Sequence, residues 1–461
     1  MRHVATATSR TTAWLLAAAP DSATRFAVDD PAVARTLAAA GAALVDDDAE
    51  VEVATAPSHL RTDADTVLLS IDATQPEGGS VLTRVARRVV ASLYVRLRAR
   101  RCARQLRERG FSRVTTTLWD LDQQYRVAAG VPSTVLSPRE LLPQCAVVRG
   151  DRRPLTRTML EASLAEATEI LGGPLRVERT LAQEGAAVVI TDRAVLRVTI
   201  GESRHKLDRQ RALLGALRDA KPSDVVVSRS PVVLAYGSTG LADWSMETRM
   251  PGTTMSTSQL TGSLLDECVD FLVHLFEVKS DALPEWTFAE QAEIVARTCS
   301  DPRHREAAHQ LGAWLTSSLA DLPRGFCHGD FWQKNLLVSH GSLAGVVDWD
   351  TADGAAPPFL DLMHLRLSVL RARKRKELGA AVLEELLPWA EAGGDELNRR
   401  YARRIGVSVG ADQLQALALA YWLSQVARRF AMFGTGGEQP RWAHRNVRVV
   451  LEMLSETQRV G

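Results

Sequence analysis

Two short runs constrain this chain more than anything else in it. The first is Phe326-Cys327-His328-Gly329-Asp330-Phe331-Trp332-Gln333-Lys334-Asn335, and the second is Val346-Val347-Asp348-Trp349-Asp350. Together they read H-G-D-x-x-x-x-N followed by D-W-D, with Asp348 thirteen residues after Asn335. Six fixed positions coincide by chance about once in 10⁷–10⁸ starting points. The flanks are apolar. Leu336-Leu337-Val338 and Leu343 to Val347 read as two short buried strands joined by the turn Ser339-His340-Gly341-Ser342. Asp330 then lies on a loop before one strand and Asp348 just after the next, so both carboxylates open toward one cleft.

Phosphoryl transfer from ATP requires such a set. One carboxylate orients the attacking hydroxyl and accepts its proton, while a second carboxylate and an amide oxygen hold magnesium against the nucleotide phosphates. The offset from Asp330 to Asn335 is that of the kinase catalytic loop. On HGDFWQKNLLV and GVVDWDTA the chain resembles the aminoglycoside phosphotransferase family, which has a kinase-like fold and also includes choline kinases. Pro358-Phe359-Leu360-Asp361-Leu362 is similar to a further stretch of that family. The resemblance runs from about 170 to 460 and is strongest over 324–365. It implies ATP and Mg²⁺ as cofactors, Asp330 as the catalytic group, and Asn335 and Asp348 as metal ligands. His328 joins the catalytic set by bracing the loop rather than by exchanging protons. Lys334, beside Asn335, is either a γ-phosphate contact or a solvated lysine, Asp350 stands behind the metal ligands, and Asp361 caps the following helix and fixes the loop.

Upstream, Leu175 to Leu181, Ala186 to Ile190 and Ala194 to Thr199 read as three strands. The resemblance makes them the start of a small lobe over about 174–250, ahead of a large lobe over 251–461. Gly185 alone supplies the glycine of the nucleotide-covering turn. Arg197 takes the place of the phosphate-binding lysine, with a fork in place of a point charge. Its expected carboxylate partner falls on Gln210, a departure from the family pattern. The hinge segment Met246, Glu247 and Arg249 brackets the adenine edge, with Met246 either an adenine wall or a core residue.

Residues 1–150 have a different texture. Strand-like and helix-like stretches alternate: Arg25 to Val28, Pro31 to Gly41, Glu50 to Ala54, Thr66 to Ile71, a long helix from Ser80 to Arg109, and Arg113 to Trp119. This implies an α/β layer fold. The order weakly resembles a class I methyltransferase, with Gly110-Phe111 as a turn into a strand. No glycine-rich loop follows an early strand, so we expect a degenerate Rossmann-like domain without methyl-transfer activity. The boundary falls near 145–155, giving a Rossmann-like domain over 1–150 and an α+β bilobal kinase-like domain over 151–461. The long helix is rich in arginine. Because these arginines sit at many helical angles, a solvated face is expected rather than a membrane-facing stripe.

Net charge is +1, so nothing draws the chain as a whole to nucleic acid. Five scattered cysteines with no C-x-x-C pair fit a reducing cytoplasm. Ala13 to Ala19 reads as a helix, and no stretch reaches the length of a membrane span. Residues 362–461 hold sixteen Lys/Arg against ten Asp/Glu; most of these read as solvated helix faces, and the bias mildly favours a neutral or anionic acceptor over a polycation. The expectation is an ATP- and Mg²⁺-dependent phosphotransferase acting on a small-molecule hydroxyl, such as a sugar, nucleoside or glycan. The alternative is a catalytically weak kinase-like nucleotide-binding module with a regulatory role. The sequence leaves the acceptor and the oligomeric state open.

Overall fold

The computed structural model describes residues 15–55, 60, 64–72, 81–119, 125–126, 145–152, 157–183, 186–220, 222–260, 262–279, 286–433 and 440–457. The chain divides into two compact units, Met1–Arg209 with Val232–Arg249 and Gln210–Pro231 with Met250–Gly461.

The first unit holds two sheets. Strands β1 (Arg25–Val28), β2 (Ala43–Leu44), β3 (Val51–Ala54), β4 (Thr66–Asp72), β5 (Arg113–Trp119), β6 (Tyr125–Arg126) and β7 (Cys145–Asp151) form one sheet in the order β2-β1-β3-β4-β7-β5-β6. The first four in that order are parallel, and β7 runs antiparallel between β4 and β5. Helix α1 (Pro31–Ala39) connects β1 to β2, and α2 (Val81–Glu108) leads into β5. Val95, Ala99, Cys102 and Leu106 recur at helical spacing along α2 and pack on Val67, Leu69, Ile71 and Val148. The second sheet is antiparallel, in the order β11-β12-β10-β9-β8, from β8 (Val177–Gln183), β9 (Ala186–Thr191), β10 (Ala194–Ile200), β11 (Val233–Thr239) and β12 (Ala242–Thr248).

One core runs through both sheets. It joins Leu15 to Ala19, Phe26, Leu37, Val53 and Val147 to Met159, Leu160, Val189, Leu196, Val198, Trp244 and Met246. The helix expected over Ala13 to Ala19 is seen at residues 15–18, inside this core. Helix α3 (Met159–Ile170) follows the capping box of Thr158 and Glu161. Its Glu166 carboxylate accepts from the buried Trp244 indole (3.1 Å) and the Thr239 hydroxyl (2.6 Å). A buried ion pair links the layers: Arg149 Nε donates to Asp151 at 2.9 Å, while its Nη1 donates to the Ala18 carbonyl at 3.0 Å. β7 ends at Asp151, inside the stretch where a boundary was expected, but the hydrophobic core continues past it.

The second unit is mainly helical and includes α4 (Gly262–Phe276), α5 (Phe288–Arg297), α6 (Pro302–Ser318), α7 (Leu360–Lys374) and α8 (Ala411–Phe433). Strands β15 (Leu336–Ser339) and β16 (Ser342–Val346) form a hairpin. Its two-residue turn places His340 and Gly341 at φ 51° and 83°, the backbone such hairpins need. β13 (Thr253–Thr254) flanks β15, and β14 (Gly325–Cys327) pairs with β17 (Asp353–Ala356). After Asp361 the described residues are helices and turns, as the sequence implied.

Two glycines test how tightly the layers of the first unit meet. Gly240 has φ +59°, and a Cβ there would lie 2.0 Å from the Asp21 carbonyl oxygen. Gly41 has φ +89° with nothing within 4 Å of such a Cβ. Both alanine variants carry the strain of a left-handed backbone, about 1–3 kcal/mol. Gly240→Ala must also push apart two backbone segments. Denaturant unfolding should show it to be less stable than Gly41→Ala by at least about 1 kcal/mol.

Candidate functional site

The catalytic-type loop leaves β14 at Cys327 and is held by backbone contacts before any reactive side chain is considered. The buried Asp361, in the first turn of α7, accepts from the His328 N–H (2.7 Å) and the Gly329 N–H (2.8 Å). Gly329 has φ +80°, and a Cβ there would meet Arg428 Nη1 and the Thr351 carbonyl oxygen at 2.3 Å. Its carbonyl accepts from Arg428 Nη1 (2.7 Å) and Gln425 Nε2 (2.9 Å), both on α8. The loop is thus clamped between two helices of the same unit. Asp361 was expected to cap its helix as well. It makes no capping bond, since the N-cap position is Phe359 at φ +74°, and its carboxylate is committed to the loop.

The Asp330 carboxylate receives donors on both oxygens. Oδ1 lies 3.0 Å from His364 Nε2, and Oδ2 accepts from Asn335 Nδ2 (2.8 Å) and Trp332 Nε1 (3.1 Å). Asn335 Nδ2 also donates to the Asp330 carbonyl at 3.0 Å. The second loop is tied to the first, because Val347 N–H donates to the Asn335 carbonyl at 2.9 Å. It brings up Asp348 at φ +72°, a left-handed backbone that a non-glycine residue adopts only when its surroundings enforce it.

These groups suit a magnesium site in their chemistry. With its amide nitrogen on Asp330, Asn335 can offer only its oxygen to a cation, and Asp348 adds a carboxylate. Magnesium takes hard oxygen donors and is held by one or two carboxylates together with substrate phosphates. Such a site needs no larger ligand cage, and no group of three His, Cys, Asp or Glu side chains suited to a metal occurs among the described residues.

His328 is completely buried. Its Nε2 donates to the Val347 carbonyl (3.1 Å), its Nδ1 accepts from the Asp330 N–H (3.3 Å), and its ring packs edge-on against Trp349, with centroids 4.6 Å apart. Burial holds its pKa below the usual histidine value. A neutral ring with both nitrogens committed to backbone braces the two loops and has no proton to exchange.

The remaining expected positions are distributed as follows. Lys334 is exposed, with its ammonium 5.2 Å from the Trp332 ring centroid. Arg197 pairs with Glu247 across adjacent strands (3.4 Å). The carboxylate partner expected on the helix at Gln210 is therefore supplied by strand β12. Glu247 is buried, and this pairing is where the structure places a residue first read as part of the hinge. Met246 is fully buried in the core of the first unit, so its side chain serves packing. Arg249 donates to the Thr191 carbonyl and pairs with Glu178, both at 2.7 Å. Gly185 lies outside the described residues. The basic residues after 362 carry less meaning than their count implied. Lys374, Lys376, Arg400, Arg403, Arg404 and Arg448 all pair with acidic side chains.

The sequence reading missed His364 and Tyr421. His364 Nδ1 lies 2.9 Å from the Tyr421 hydroxyl, and burial pushes that phenol well above its usual pKa, so it keeps its proton. The tyrosine can then donate to Nδ1, leaving the proton of a neutral imidazole on Nε2, facing Asp330. A signal for His364 existed, since it stands three residues after Asp361 on one helix, hence on the same face. None existed for Tyr421, which arrives from α8.

Residues 179–403 match the model of the phosphotransferase enzyme family. No curated protein sequence matches the chain. Similar solved structures include the aminoglycoside phosphotransferase APH(3'')-Id from Streptomyces rimosus, with 20% identity, 53% of this chain and 92% of that chain covered, and a TM-score of 0.36. A thermostable mutant of aminoglycoside phosphotransferase APH(4)-Ia shows 18% identity over 64% of this chain and 99% of that one, with a TM-score of 0.42. The gentamicin complex of APH(2")-IIa shows 15% identity over 63% and 96%, with a TM-score of 0.43.

The buried neutral His328 makes stability depend on pH with a definite sign. Its folded pKa is depressed, so below about pH 6.5 the unfolded chain takes up a proton that the folded chain refuses. Its contribution is full above that pH and is lost as pH falls, by about 1.4 kcal/mol per unit while the folded ring stays neutral. Thermal or urea unfolding between pH 7 and 5.5 should show this slope, and His328→Gln should flatten it while lowering stability at pH 7.

Proposed function

We propose that this chain, whose residues 179–403 match the phosphotransferase enzyme family, transfers the γ-phosphoryl group of ATP, with Mg²⁺, to a hydroxyl of a small molecule. The observation that carries the reading is the Asp330 carboxylate, held by His364, Asn335 and Trp332 on a loop clamped by Asp361. Asp330 orients the acceptor hydroxyl and takes its proton as the oxygen bonds to phosphorus and the bond to the ADP leaving oxygen breaks. Tyr421 and His364 hold that carboxylate in one orientation. The Asn335 oxygen and Asp348 hold the cation, which when bound neutralises phosphate charge. Arg197, steadied by Glu247, is the proposed phosphate contact. The backbone from Met246 to Arg249 is the proposed adenine edge, and Lys334 a further γ-phosphate contact.

The acceptor is proposed to be a neutral or anionic hydroxyl compound of the sugar, nucleoside or glycan kind. Two guanidinium groups on the helices that hold the loop support this: the buried Arg428 touches the loop itself, and the half-buried Arg371 lies on the helix that carries Asp361, its pKa held down by burial. The second reading, a weak nucleotide-binding module, draws on the single-glycine turn at Gly185 and on Gln210. Glu247 beside Arg197 answers the second of these.

We read the N-terminal sheet as a degenerate Rossmann-like layer without cofactor chemistry. Chain order reverses between β1 and β3, where a doubly wound sheet opens its ligand crevice. There Asp29 accepts from the Thr55 N–H (3.0 Å) and hydroxyl (3.1 Å), and Asp30 Oδ1 accepts from the Val33 N–H at the start of α1 (3.3 Å). The helix end that would receive an anionic group already faces the chain's own carboxylates. No thermal shift is expected with millimolar S-adenosylmethionine, and a saturable shift would revive a methyl-transfer reading.

ATP consumption against a panel of sugars, nucleosides, amino alcohols and aminoglycosides should identify the acceptor. Asp330→Asn should then lose about 10²–10⁴-fold in acceptor-dependent turnover and keep Mg-ATP affinity. Asp348→Ala should lose the Mg²⁺ dependence of nucleotide binding by calorimetry. His364→Gln and Tyr421→Phe should lower kcat, by up to about 10²-fold, with KM for ATP unchanged. Equal turnover by Asp330→Asn and the parent protein would refute the assignment.

A further inference from the structure

Helix α2 buries one face against β4, β5 and β7 through Val95, Ala99, Cys102 and Leu106. Its opposite face is apolar as well. Val89, Val90, Leu93, Tyr94 and Leu97 are 47–65% exposed and follow an i, i+1, i+4, i+5, i+8 pattern, a single stripe on the outer side. They account for five of the eleven large exposed hydrophobic side chains among the described residues. Along the same side, Arg100, Arg101, Arg104 and Arg107 are exposed in the turns that follow. Arg96 and Arg98 stand about 90–110° to either side of the stripe. The arginines that in sequence argued against a membrane-facing stripe therefore surround one.

The charge on the helix selects the occupant. Val81–Glu108 contains nine arginines and one acidic residue, Glu108. A second copy of the helix would bring like charges together in either orientation, so self-pairing is disfavoured. The occupant must offer apolar contact beside negative charge over about 27 Å. The stripe is a convex helix face, which asks for no shaped groove in its partner. Arginines on both flanks, together with a tyrosine, match a helix lying in the plane of a lipid interface, with cations at headgroup level on either side. No helix among the described residues is long and apolar enough to cross a membrane.

We propose that α2 docks this protein peripherally on anionic lipid membranes, with the stripe from Val89 to Leu97 in the interface and the following arginines on lipid phosphates. The proposal is independent of the phosphotransferase reading, since none of these residues belongs to the nucleotide or acceptor site. The test is flotation of the full chain with phosphatidylcholine vesicles and with vesicles containing 30% phosphatidylglycerol, at low and high salt. Binding is expected to anionic vesicles only and to weaken with salt. Arg100→Gln with Arg104→Gln should weaken it about 25-fold, taking about fivefold per arginine near the surface. Leu93→Asp with Leu97→Asp should abolish flotation while leaving thermal unfolding and Mg-ATP binding unchanged, because both side chains are exposed. Failure to float with anionic vesicles, indifference to these substitutions, or a solution dimer dissolved by Leu93→Asp would each overturn the proposal.

Discussion

The Asp361 carboxylate is the contact on which the candidate site depends. A loop that turns at Gly329 aims the His328 and Gly329 amides into a dry interior, and buried amides need acceptors. Asp361 satisfies both at 2.7 and 2.8 Å. Hydrogen bonds to a charged acceptor contribute about 1.5–3 kcal/mol each, and a carboxylate in the first turn of a helix is favoured by the helix dipole. The same helix carries His364 one turn on, against Asp330. One element therefore fixes both the backbone of the loop and the orientation of the Asp330 carboxylate.

The first unit has a different organising principle. Its five-stranded sheet and its seven-stranded sheet share one core through residues 15–19 and α3. A five-stranded antiparallel sheet carrying Arg197 and Glu247 on one face must bury the other. Here Leu196, Val198, Trp244 and Met246 bury it against the N-terminal layer. Whatever chemistry the N-terminal sheet once had room for, this packing gives it a present physical role: it supplies the apolar surface on which the sheet bearing Arg197 rests.

Local periodicity carried most of the fold. β1, β4 and β5 and helix α2 fall within a residue or two of their sequence boundaries, because long apolar runs and a terminating glycine set them. Partners brought together from distant parts of the chain were not legible. Glu247 reaches Arg197 through strand register, and Tyr421 reaches His364 through helix packing 57 residues away. The sequence sought the partner of Arg197 at position 210, by its place along the chain, whereas the Glu247 pairing follows from which strand lies alongside. For Met246 the sequence left adenine wall and core residue open, and the structure places it in the core. A residue's composition does not reveal whether its side chain is turned into a core or paired with an acid.

Two rings of the motifs, His328 and Trp349, constrain the backbone between them. Asp348 holds a left-handed backbone at φ +72°, a conformation costing about 1–3 kcal/mol in a non-glycine residue. Its neighbours enforce it. On one side the Val347 N–H is bound to Asn335 and the Val347 carbonyl to His328. On the other, Trp349 is fully buried, its indole donates to the Val346 carbonyl at 2.8 Å, and its ring lies against His328 and Phe326. With both neighbours fixed, the backbone between them is held at that left-handed turn. The tryptophan of D-W-D and the histidine of H-G-D thus form one buried contact that holds the strained backbone at Asp348.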